Sequence, residues 1–259
     1  MKTSRWLTLA TSVALAALAI WPDVRTGHAQ SKDRGRAKAA PRAAAFKGRV
    51  GDLDTDRSRV YVHVGKTGLG HEHGVAGRIK TGVIWLGATN EAGLIVFDMK
   101  SFTADELEAR EYVGLQGEVV ESTREKVTAN MRGPDVLSTA KFPTARFELE
   151  SAIPILKKKP NSPTEYRLTG DFELHGVSRK LSVVVQAEAI DDMIRLHGKF
   201  PILQSHFGIK PYSMALGTIG VADQLIIWAD IWIRAEDARA NEKQTIQQVD
   251  GEQPAKAPK

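Results

Sequence analysis

Two histidines flank a glutamate at His71, Glu72 and His73, inside GLGHEHGVAG at residues 68–77. Alternate residues of an extended chain point to the same side, so His71 and His73 can turn their imidazoles toward one ion. Two nitrogens leave most of a coordination sphere unfilled, so a metal or haem function built on this pair also needs Glu72, His63, His175 or His206 alongside. Glycines at 65, 68, 70, 74 and 77 loosen the backbone here. The stretch therefore reads as a loop at the edge of a sheet, entered from a strand ending near Val64 and left through Arg78 and Ile79.

Other chemistry-bearing patterns are absent. The chain has no G-x-S-x-G, no H-E-x-x-H and no cysteine, so the usual nucleophile and metalloprotease motifs are missing. Asp54 with Asp56, and Asp191 with Asp192, are neighbouring acids in expected turns and read as solvated. GLGHEHGVAG neither follows a parallel-type strand nor opens a helix, so it is not a phosphate loop. A nucleic-acid surface needs basic residues interleaved with aromatics on a folded face. Here residues 30–50 concentrate seven Lys or Arg against one Asp, outside any segment that can bury a core. The expectation is a binding protein rather than an enzyme, with no nucleic-acid partner.

The ends frame the domain. Lys2 and Arg5 precede an apolar run from Trp6 to Trp21 and a Gly27-His28-Ala29 small-residue site, the pattern of a cleavable signal peptide over residues 1–29. The mature protein is expected to begin near Gln30 or Ser31 and to be periplasmic or secreted. Exported proteins often use disulfides, but with no cysteine this one must rely on apolar burial. Residues 30–50 read as a basic Ala/Pro-containing linker, able to hold an anionic lipid surface with about 1 kcal/mol per basic residue. Residues 234–259, polar and charge-balanced, read as a disordered tail.

Between them, residues 51–233 alternate with period two. Val60, Val62 and Val64 share one face of SRVYVHV while Arg59, Tyr61 and His63 share the other. Tyr166, Leu168, Gly170, Phe172 and Leu174 alternate likewise, as do Leu225, Ile227, Ala229, Ile231 and Ile233 against Ile226, Trp228, Asp230 and Trp232. Further runs of the kind bring the count to about eight strands with short turns, which suggests a barrel or a sandwich. One interruption, EVVESTREKVTANMRGPDVL, spaces Val120, Val127 and Met131 helically and stops at Gly133-Pro134; it predicts a single helix on the sheet or across its mouth. LKKKPNSP, residues 156–163, reads as a charged turn.

The run TGDFELHGVSRKLSVVV, residues 169–185, resembles the YceI-like family of bacterial polyisoprenoid-binding proteins. DLDTDRSRVYVHV resembles the family's opening strand through Asp54, Ser58 and Val60. GPDVLSTAKFPTARFE and SHFGIKPYS resemble two later elements, in the family's order, with His206 standing where the family carries an acid. The resemblance implies an all-β, eight-stranded antiparallel lipocalin-like barrel whose interior takes a polyisoprenoid, quinone or similar long-chain lipid, with no cofactor. The ligand-binding candidates are then Trp85, Phe97, Phe172, His175, Phe207 and Trp228. A bulky residue at Gly170 or Ala229, small and inward by alternation, should compete with such a ligand. His71 and His73 become either a pocket rim that hydrogen-bonds a head group, or, in the alternative metal- or haem-linked reading, ligands.

Overall fold

The computed structural model describes residues 49–156, 162–214, 216 and 218–235. The expected signal peptide, nearly all of the basic linker, residues 157–161 of the charged turn and the tail from 236 lie outside the described residues. The alternating runs form β1 (Arg59–Gly68), β2 (His73–Ile84), β3 (Gly93–Ala104), β4 (Thr144–Ile155), β5 (Thr164–Leu174), β6 (Val177–Ile190), β7 (Met193–Leu203), β8 (Ser213–Met214) and β9 (Ile219–Arg234). Neighbours pair antiparallel from β1 to β7, β7 pairs with β9, and β9 pairs back onto β1. Eight strands thus close a barrel, and the two-residue β8 merely adds to β9. Closure removes the sheet edges that an open set of such strands would expose.

One end of the barrel is sealed by side chains. Ile84, Met193, Leu196 and Ile233 are among the most deeply buried residues, and the preceding segment adds bridges from Asp52 to Val83 and from Leu53 to Ile233. Asp54, expected to be a solvated turn acid, is buried. Its carboxylate accepts the N–H groups of Asp56 at 3.0 Å and Arg57 at 3.1 Å, which satisfies it where water cannot reach. The nearby Ser58 hydroxyl accepts the Trp232 N–H at 2.9 Å, tying the start of β1 to β9.

Helices occupy the other end. The expected helix is present as α2 (Glu121–Arg132). Thr128 Oγ1 accepts the Ala104 N–H at 2.9 Å and Arg132 Nε donates to the Phe102 carbonyl at 2.8 Å. These bonds pin α2 to the last turn of β3. A shorter helix, α1 (Leu107–Tyr112), adds to the single helix expected; six residues cannot display a helical period clearly enough to be read. Tyr61 of β1 stacks on its Tyr112 with ring centroids 3.8 Å apart, and donates to Glu108 at 2.5 Å.

Two glycines have structural reasons that differ from those expected. Gly74 does not loosen a loop: a Cβ there would stand 2.8 Å from the Arg110 backbone, so its bare backbone lets α1 pack on β2. The connection of β1 to β2 is only Leu69–Glu72, because β1 runs on to Gly68 by pairing with Ile219 of β9. Gly170 was expected to face open interior. A Cβ there would instead overlap the Glu148 carbonyl oxygen, so Gly170→Phe would part β4 from β5 rather than fill the cavity.

Candidate ligand-binding site

Period-two alternation sends about every second side chain of the barrel strands inward, and these side chains enclose a cavity of about 230 Å³. Valine, isoleucine and leucine dominate the lining, with Phe97, Phe102, Phe147, Phe172 and Phe200 between them. Val127 and Met131 of α2 cover it at one end. Phe172 holds an aromatic junction, edge-on to Phe97 at 6.1 Å, Phe147 at 6.0 Å and Phe207 at 5.5 Å. The polar side chains on the lining are His73, Asn130, Gln204 and the Tyr212 phenol. Gln204, first residue of a 3₁₀ turn at Gln204–Phe207, donates Nε2 to the Ala222 carbonyl at 2.8 Å.

His73 is anchored from behind. Its Nδ1 lies 2.6 Å from Asp105 Oδ2, while Asp105 Oδ1 accepts from Arg110 Nη1 at 3.0 Å and from the Gly74 N–H at 3.2 Å. Burial pushes the Asp105 carboxyl up, but His73, Arg110 and the Gly74 N–H outweigh it and hold the group below its ordinary value. A carboxyl depressed by folding contributes stability that is complete above its unfolded value, about 3.9, and is lost as pH falls through the lower folded value. Asp105→Asn has no such titration. It should lose less stability than the wild type on acidification from about pH 5 to pH 2, read as urea midpoints; parallel acid limbs would show that Asp105 carries none of this linkage.

The imidazoles do not converge. His71 is exposed, His63 Nε2 lies 3.2 Å from Glu72 Oε1, and His73 is held by Asp105. His175, at φ 54° in the β5–β6 turn, packs on Phe142 with ring centroids 4.5 Å apart. His206 is exposed, and its carbonyl accepts Arg179 Nε at 3.0 Å. Among the described residues, no three His, Asp or Glu side chains gather as a metal set.

A family model for the YceI-like domain matches residues 52–231, nearly the whole of this barrel. The chain belongs to the YceI-like family. Three solved structures are similar to it. BcnA of Burkholderia cenocepacia is 16% identical over 70% of this chain and 99% of its own, with a TM-score of 0.45. A polyisoprenoid binding domain from Saccharophagus degradans is 11% identical over 73% of this chain and 100% of its own, also at 0.45. The Campylobacter jejuni YCEI protein is 13% identical over 62% of this chain and 85% of its own, at 0.40. No curated protein matches the chain.

This YceI-like barrel gathers only some of the expected ligand-binding residues. Phe97 and Phe172 line the cavity, and Phe207 backs Phe172. Trp85 lies just past β2, 49% exposed, and outside the lining. Trp228 is also outside it: with Ile227 and Ala229 inward, it projects from the outer face of β9, where Lys199 Nζ stands 5.9 Å from its ring. His175 sits in its turn, off the lining. Met99, Phe102 and Met131 line the cavity unforeseen. In β3 the inward set passes from Ile95, Phe97 and Met99 to Phe102 and Ala104, a change of parity beside the register shifts between β2 and β3 that strict alternation does not show.

Proposed function

We propose that this YceI-like protein is an exported, non-enzymatic carrier or sensor that holds the tail of a long-chain lipid, such as a polyisoprenoid or a quinone, inside the barrel. The observation that supports the reading is the cavity itself: about 230 Å³ lined almost wholly by hydrocarbon. That volume lies just below the roughly 300–1,000 Å³ of drug-sized sites, which suits a narrow chain better than a bulky ring. Each methylene withdrawn from water contributes about 0.8 kcal/mol, so a chain needs no polar anchor to bind. The lining offers no nucleophile paired with a base. The resemblance carried by residues 169–185 favours an isoprenoid, and the signal-peptide pattern favours the periplasm or the outside of the cell. The basic linker would add a peripheral hold on anionic membrane.

Native mass spectrometry of the protein purified from its own envelope tests this. A lipid-sized excess mass, on a chain beginning near Gln30 or Ser31, is the expected result. A metal-sized excess, or an intact Met1 in the membrane fraction, would overturn the corresponding part of the reading.

A further inference from the structure

His73 offers a lipid held in this cavity a polar atom whose hydrogen-bonding role is set by its neighbours. Its side chain is 19% exposed while that of Asp105 is 1% exposed. Asp105 accepts from His73, Arg110 and the Gly74 N–H. A carboxylate so held, with a guanidinium among its donors, is ionised and has no proton to give. The proton between the two side chains therefore belongs to Nδ1 of His73. Whenever the ring is neutral, the bare lone pair is the one at Nε2.

No hydrogen bond or ion pair reaches Nε2 from the described residues. No buried side-chain polar atom among them lacks a partner, so Nε2 meets accessible space, and His73 is one of the residues lining the cavity. The adjacent cation is already engaged. Arg110 gives Nη1 to Asp105 and the Glu72 carbonyl, Nε to the Gly117 carbonyl and Nη2 to the Gln116 carbonyl. An anionic head group placed here would meet a lone pair, with no free guanidinium to receive it.

We propose that His73 Nε2 accepts a hydrogen bond from the head of the bound lipid, so that the site prefers a long-chain alcohol over the same chain ended by an ester or a phosphate. This rests on the reading that the cavity holds a lipid tail. Asp105 acts as a positioning residue, fixing which ring nitrogen faces the ligand.

The test displaces a cavity-bound fluorophore with farnesol, farnesyl acetate or farnesyl phosphate at pH 7.5. Farnesol should bind roughly five- to tenfold more tightly than the acetate, the value of one hydrogen bond, and the phosphate should bind weakest. His73→Phe keeps a flat ring and should equalise farnesol and the acetate. Asp105→Asn makes a sharper demand. Arg110 and the Gly74 N–H both donate to Oδ1, so the amide keeps its carbonyl there and turns its NH₂ toward His73 Nδ1. The ring proton must then move to Nε2, which becomes a donor to which alcohol, ester and phosphate oxygens can all accept, so the farnesol preference should be lost. Asn suits the backbone at this position, where φ is 61°. Equal affinities in the wild type, or a farnesol preference surviving in His73→Phe or in folded Asp105→Asn, would overturn the proposal. If Asp105→Asn does not fold, His73→Phe decides alone. If no farnesyl compound displaces the fluorophore, the lipid reading fails first, and this inference with it.

Discussion

Ala229→Trp is expected to lower long-chain lipid uptake at least tenfold while the barrel still unfolds cooperatively. Ala229 lines the cavity from β9, between Ile227 and Ile231 on the same face. It pairs with Val60 of β1 and Gly198 of β7. An indole added there projects into the cavity of about 230 Å³ and takes space that a chain would occupy. Because that space is open in the free protein, the overpacking cost should stay near the low end of the usual range, about 1 kcal/mol. Trp228→Phe, one residue along on the outer face, is the matched control and should leave uptake unchanged. Full uptake in a folded Ala229→Trp protein would place the lipid elsewhere.

Phe172→Ala should have the largest effect on stability. Phe172 is the ring on which Phe97, Phe147 and Phe207 converge edge-on, so its removal strips one face from all three. Phenylalanine truncations in cores cost about 3–5 kcal/mol, and here the void left merges with an existing cavity rather than collapsing. At about 2–4 °C per kcal/mol for a domain of this size, the thermal midpoint should fall by roughly 6–20 °C. A change under about 2 °C would show that the junction is not part of the cooperative core.

The strand order was legible because one rule, the period of two, governs nearly the whole domain. The same rule sends Ile227 and Ala229 inward, and so places Trp228 on the outer face. Phe102 escaped because its facing depends on irregular pairing between β2 and β3, which arises from partners far apart in sequence. His73 was noticed for its spacing from His71, yet its environment comes from Asp105 and Arg110, more than thirty residues away. Gly74 and Gly170 carried the same ambiguity. A glycine shows that space is tight or the backbone unusual, but only the folded chain shows what approaches it.

The most direct measurement is a crystal structure of the protein loaded with a terminally brominated long-chain alcohol, read by the anomalous signal of bromine. The account predicts a bromine peak inside the barrel, among Phe97, Phe172 and Ala229, with the hydroxyl directed toward His73. A peak on the outer face beside Trp85 or Trp228, with the interior filled by protein side chains, would contradict it.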